Sequence, residues 1–134
     1  MKLVVDSHAW IELFLGSQKG LKVRRMMIDA DEIRTPDVVL AEISRKYMRE
    51  KAEKDTVKSR LETITSASLV TPVEIEVAMK AGEASIELAA RAAKQRRRAP
   101  SLFDAIVLAT ARVHDSKVLT GDEHFEGLPD TIPI

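Results

Sequence analysis

Pro100-Ser101-Leu102-Phe103-Asp104-Ala105-Ile106-Val107-Leu108-Ala109-Thr110-Ala111-Arg112, followed shortly by Lys117-Val118-Leu119-Thr120-Gly121-Asp122, is the stretch on which the reading of the chain turns. Ser101 is a natural helix cap, and Asp104 stands three residues on, so a helix starts here. From Leu102 to Ala111 nearly every position is apolar, on all faces of the helical wheel. Such a helix is buried. A carboxylate in its first turn sits close to apolar surroundings, where a bare charge is costly unless paired or bound to metal. The same Ser-x-x-Asp pattern also serves as a capping box, and an acid in a first turn suits the helix dipole. The placement of the other acids decides between these readings.

Lys2-Leu3-Val4-Val5 is a short apolar run, the signature of a strand buried on both faces of a parallel sheet. It ends at Asp6-Ser7, where Ser7 caps a predicted helix His8 to Leu15 that Gly16 stops. A helix is expected from Leu21 to Ile28, a weak strand at Glu32 to Thr35, and a strong helix from Val38 to about Lys51. In the last of these Leu40, Ile43 and Tyr47 form the inward stripe. Its antiparallel partner runs from Glu53 to about Thr65, and Ser68 to Pro72 is a further strand. A long alanine-rich helix covers Glu74 to Gln95, with Ala78, Ala81, Ser85, Ala89 and Ala92 as the packed face. One helical turn near Glu123 and an edge strand at Thr131-Ile132 complete the chain. Short strands separated by helices specify an α/β fold: one three-layer α/β/α domain over residues 1–134, built on a parallel sheet.

Composition narrows the chemistry. The chain has 134 residues, 45% hydrophobic and 31% charged, with 21 basic and 21 acidic side chains. No global field attracts a polyanion, so any nucleic-acid contact must come from local clustering. Cysteine is absent, which excludes disulfides and thiolate metal sites and agrees with a cytoplasmic setting. The first apolar run is too short for a signal peptide, and no run reaches membrane-spanning length.

In an open parallel sheet, ligands bind at the carboxyl ends of the strands, near the point where strand order reverses. Asp6 directly follows the first strand, and Asp122 follows the strand Val118-Leu119-Thr120 across a glycine. Asp104 starts the helix that returns to that strand, and Glu42 lies one turn into the helix after Thr35. Four carboxylates from separate segments are thus aimed at one rim, where their repulsion calls for a cation. Hard oxygen donors without thiolates select Mg²⁺ or Mn²⁺. Such an ion suits phosphodiester hydrolysis, because it lowers the pKa of a water and stabilises charge on the attacked phosphate. Ser7, Ser101 and Thr120 stand beside the acids and could orient them; capping explains both serines equally. Glu42 is open to a plainer explanation, an i,i+4 pair with Lys46. Arg96, Arg97 and Arg98 are candidates for phosphate contacts, or else a solvated helix end. His8, His114 and His124 show no ligand spacing and read as surface or boundary residues. Trp10, Phe14 and Phe103 read as core or interface residues.

Val4-Val5-Asp6-Ser7-His8-Ala9-Trp10, Leu40-Ala41-Glu42-Ile43, Phe103 to Ala111 and Leu119-Thr120-Gly121-Asp122 together resemble the PIN-domain ribonucleases. The likeness is above all to the toxin half of VapBC-type toxin–antitoxin pairs of bacteria and archaea, and it spans nearly the whole chain. The family's acidic quartet would then be Asp6, Glu42, Asp104 and Asp122. The resemblance implies a five-stranded parallel sheet, Mg²⁺- or Mn²⁺-dependent cleavage of RNA, and a homodimer or larger homo-oligomer. It also implies a small antitoxin whose tail crosses the acidic pocket. The rivals are a catalytically silent PIN-like module binding RNA or protein, and a nuclease acting on DNA or branched structures. A receiver-type phospho-acceptor domain clusters acids in the same way, but the lysine expected after a final strand is missing.

Overall fold

The computed structural model describes residues 1–134. The element order is β1 (Lys2–Val5), α1 (Ser7–Leu15), α2 (Gln18–Asp29), β2 (Glu32–Pro36), α3 (Asp37–Arg49), α4 (Lys54–Ala67), β3 (Leu69–Thr71), α5 (Ile75–Lys94), α6 (Leu102–Val113), β4 (Lys117–Thr120), a 3₁₀ turn (Glu123–Phe125) and β5 (Thr131–Pro133). The five strands form one sheet in the order β3-β2-β1-β4-β5, and every pairing is parallel. This is the expected α/β/α arrangement. Chain direction across the sheet reverses after β3, so β1 and β4 become neighbours although most of the chain separates them. Their carboxyl ends form the switch point of the sheet.

The core explains why α6 is apolar all round. Ala105, Val107, Leu108 and Ala111 join the main cluster with Leu3, Val4 and Val118 of the sheet. On its other side Ile106 and Ala109 pack against Val77 and Ala81 of α5. No helix is long and apolar enough to cross a membrane.

Local differences from the sequence expectation have simple causes. The cap of α1 is Asp6, whose carboxylate accepts the Ala9 N–H at 3.1 Å; Ser7 is the first helical residue. Aspartate and serine cap equally well, and here the earlier one is used. Helix α2 begins before Leu21 because Ser17 caps it and accepts from the Gly20 N–H. In α5 the packed face is Val77, Ala81, Ala84, Leu88 and Ala92, while Ala78 and Ala89 are exposed. Trp10 is fully buried, and its indole N–H donates to the Thr35 hydroxyl at 3.1 Å.

Helices α1 and α2 cross in close contact at Gly20. A Cβ added there would lie 2.0 Å from the carbonyl oxygen of Glu12, an atom of the α1 backbone. Gly20→Ala is therefore expected to force the two helices apart and to destabilise the fold by about 3 kcal/mol. Thermal unfolding checks this: a drop near 10 °C is expected for a domain of this size, and an unchanged midpoint would contradict the crossing geometry.

Candidate functional site

Asp6 anchors the rim. It closes β1 and is nearly inaccessible to solvent, with 4% exposure. One carboxylate oxygen caps α1 and the other accepts the hydroxyl of Thr120 at the end of β4. That hydroxyl oxygen in turn accepts the backbone N–H of Asp122 at 3.0 Å. A single threonine thus ties the carboxylate after β1 to the turn after β4. Burial nevertheless dominates, and it pushes the Asp6 carboxyl up to about 6 against the opposing pull of the Thr120 and Ala9 hydrogen bonds.

Asp104 is held by the capping box that its sequence announced. Its Oδ2 accepts the Ser101 N–H at 2.9 Å and the Ser101 hydroxyl at 3.1 Å, and the Ser101 hydroxyl oxygen accepts the Asp104 N–H at 3.3 Å. All three bonds use Oδ2 or the backbone, which leaves Oδ1 without a hydrogen-bond partner. The cap therefore leaves one carboxylate oxygen for a ligand. Burial raises the Asp104 carboxyl, helped by the charge of Asp122.

Glu42 projects from α3 toward the same place. Its carboxyl is pushed up to about 7, first by burial and then by the charges of Asp104 and Asp6. The i,i+4 pair with Lys46 does not form; Lys46 bonds Glu50 instead, at 2.6 Å. Asp122 completes the group, and its charge acts on Asp6, Glu42 and Asp104 alike. The four carboxylates raised in the sequence reading therefore lie within electrostatic reach of one another, beyond the strand ends at the switch point.

Two histidines set aside in the sequence reading belong to this place. His124 follows Asp122 in the 3₁₀ turn, and its Nδ1 lies 3.0 Å from Asp122 Oδ1. Donor atoms of Asp104, Asp122 and His124 all fall within 4.8 Å of one another. His8 Nε2 approaches Asp122 Oδ2 to 3.8 Å. The only hint in the sequence was an Asp-x-His in a turn directly after a strand, which brings both side chains to one edge. His114 stays at the far end of α6, away from the rim.

The remaining candidates fall nearby in differing states. Ser7 lines the cleft beside the acids without a capping bond. Arg97 is engaged by the turn, donating to the Glu123 carbonyl at 3.1 Å, and the Arg98 carbonyl lies 2.9 Å from His124 Nε2. The run Arg96-Arg97-Arg98 thus props the Asp122 turn as well as presenting charge beside it.

The donors fit a hard divalent cation. They are carboxylate oxygens with one imidazole nitrogen, partly desolvated, and the carboxylates repel one another with only Arg45, beside Glu42, as a partial offset.

Comparisons with known proteins agree with this fold. Residues 3–130 match the family model described as PIN domain. No curated protein sequence matches the chain. Among solved structures, VapBC2 from Rickettsia felis, bound to a DNA fragment from its promoter, superposes with a TM-score of 0.71 at 15% identity, covering 100% of this chain and 98% of that one. VapBC-5 from Mycobacterium tuberculosis gives 0.61 at 24% identity, with 99% and 97% covered. VapC20 of the same organism, described as a toxin cleaving the Sarcin-Ricin loop, gives 0.69 at 17% identity, with 98% and 99% covered. At these identities the likeness is one of fold.

The raised Asp6 carboxyl has a thermodynamic consequence. Between about pH 4, where an unfolded aspartate ionises, and about 6, the folded protein holds a proton that the unfolded chain has released. Stability without metal therefore falls as pH rises through this interval, by about 3 kcal/mol from Asp6 alone. Denaturant melts in EDTA should show Asp6→Asn gaining on the parent chain from pH 4 to 7, and added Mn²⁺ should restore the parent. Parallel pH profiles for the two proteins would contradict the desolvated state of this carboxylate.

Proposed function

Because the chain belongs to the PIN domain family, we propose that it is a divalent-metal-dependent endoribonuclease, acting as the toxin of a cytoplasmic toxin–antitoxin pair. One observation carries the reading: four acids from four segments gather at the sheet's switch point, where burial and mutual repulsion outweigh the pull of Arg45 on Glu42. Asp6, Asp104 and Asp122 would hold Mg²⁺ or Mn²⁺, with Glu42 as a further ligand or as the group that positions water, and His124 within reach. When bound, the ion supplies charge stabilisation at the attacked phosphate and an acidified water.

The rest of the work falls to the chain's own side chains. Thr120 holds the Asp6 carboxylate and the Asp122 backbone at fixed separation, and Ser101 occupies one oxygen of Asp104 and leaves the other unpartnered. Glu42, free of any ion pair, is available to accept a hydrogen bond from the attacking water. No side-chain nucleophile is needed. RNA as substrate and a small antitoxin as partner rest on the resemblance to the toxin branch and on structural neighbours of that kind.

Self-association is read from α5. Its outer face leaves Ile75, Met79 and Ile86 exposed at 81%, 70% and 76%. Beside this stripe Glu83 pairs with Lys80, and Arg91 is turned away to the Glu126 carbonyl. A second copy packed along α5 would cover the apolar residues.

Two measurements test these statements. Mixed single-stranded RNA should be cut in Mn²⁺ or Mg²⁺ and spared in EDTA, while DNA of the same sequence is spared throughout. Asp104→Asn should lower the rate about 100-fold or more and Thr120→Val about 10-fold; cleavage untouched by Asp6→Asn and Asp104→Asn would remove the acids from the mechanism. Light scattering should give a dimer mass for the parent chain and a monomer mass for Ile86→Lys. A monomeric parent would refute the α5 pairing.

A further inference from the structure

The acid pocket continues sideways into a cleft between α1 and α3, with a volume of about 590 Å³. Ser7, His8 and Glu12 form the α1 wall, and Arg45, Lys46 and Arg49 follow Glu42 along the α3 wall. Residues three, four and seven positions after Glu42 share its helix face, so this wall changes from acidic at the rim to basic beyond it. Lys46 is neutralised by Glu50. Arg45 and Arg49 stand one turn apart, about 6 Å along the axis, and neither has an ion-pair partner. Arg45 is close enough to pull the Glu42 carboxyl downward. The facing wall carries one carboxylate, Glu12, which accepts the Ser17 hydroxyl; set against Arg45, Arg49 and the Lys46–Glu50 pair, it leaves the cleft beyond Glu42 net positive.

From this arrangement, and resting on the nuclease reading, we propose that the cleft between α1 and α3 seats the RNA backbone on one side of the cut, with Arg45 and Arg49 each gripping a phosphate. The acid cluster by itself repels a polyanion. Two free guanidiniums a few ångströms along the same helix face supply the attraction that the pocket lacks, in a fork geometry matched to phosphate oxygens. The chain's overall neutrality makes such a local source necessary. Strand order gives direction to the strand. Helix α3 follows β2 and the Arg96–Arg98 run abuts the turn after β4, so the two basic groups flank the rim from opposite sides of β1. The sequence reading gave phosphate contact to the second group alone; the structure engages Arg97 with the turn and leaves the α3 pair unpartnered.

The test uses the full chain and a fluorescein-labelled mixed 20-mer of single-stranded RNA, with binding measured in EDTA across a salt series. Each arginine that neutralises a phosphate contributes about 0.7 to the slope of log K against log salt. Arg45→Gln with Arg49→Gln should therefore flatten the slope by about 1.4 and weaken binding about 10-fold or more, while Lys58→Gln on α4 leaves both unchanged. In Mn²⁺ the same double variant should raise KM for the 20-mer at least 10-fold with kcat within about twofold. Glutamine is a good helix former, and equal melting temperatures will show that α3 is intact. An unchanged slope, an equal loss in Lys58→Gln, or a fall in kcat at constant KM would overturn the proposal. So would a poly-glutamate 15-mer that binds as tightly as the RNA and alone responds to the double variant, because the cleft would then belong to an acidic protein. If the parent chain binds RNA with the stated slopes yet cuts nothing, the nuclease reading falls and the backbone seat stands. If it cuts and the double variant cuts with the same KM, the seat falls alone.

Discussion

A carboxylate buried at the end of a central strand is the constraint from which the rest of the rim follows. Asp6 cannot be both charged and dry without partners, and its two oxygens are satisfied by groups from different parts of the chain: the first turn of α1 and the last residue of β4. Those two bonds do more than solvate it. They fix where α1 departs from the sheet and how the turn after β4 leaves it, so Ser7, His8 and Asp122 inherit their places from one side chain. The shared threonine hydroxyl couples strands that are neighbours only because the topology reverses.

The core makes this arrangement affordable. Leu3, Val4, Val5, Val118 and Leu119 are completely buried, and α6 is enclosed on one side by the sheet and on the other by α5. Several apolar side chains of that size contribute about 1.5–3 kcal/mol each. Three repelling acids, Asp6, Glu42 and Asp104, held above their ordinary ionisation range are thus tolerated at one edge because the interior behind them is dry and closely packed. The tension is local, and a counter-ion of suitable size would relieve it.

Much of this was legible from residues alone. The apolar runs around Val4 and Leu119, the Ser101–Asp104 cap and the glycine at 121 each carry a strong local signal, and strands, helices and acidic rim were placed from them. What escaped was set by three-dimensional crowding. In α5 the alanines supply no contrast between faces, so the periodicity admitted Ala78 and Ala89 as inward where Val77 and Leu88 are. Ser17 as a cap was hidden by a weakly patterned, lysine-rich turn. The imidazole of His124 reaches Asp104 only because the turn after β4 folds back toward the start of α6, and no spacing rule links residues that meet in that way. Likewise Glu42 and Lys46 have ideal helical spacing, yet Glu50 offers the lysine an alternative in open water.

The contact at Gly20 reaches beyond its own neighbourhood. With backbone set against backbone, the first helix has no room to roll or slide over the second. The wall of the cleft that it forms is therefore held from behind by the second helix. A ligand seated there as proposed would meet a wall already in place, with little configurational freedom to surrender.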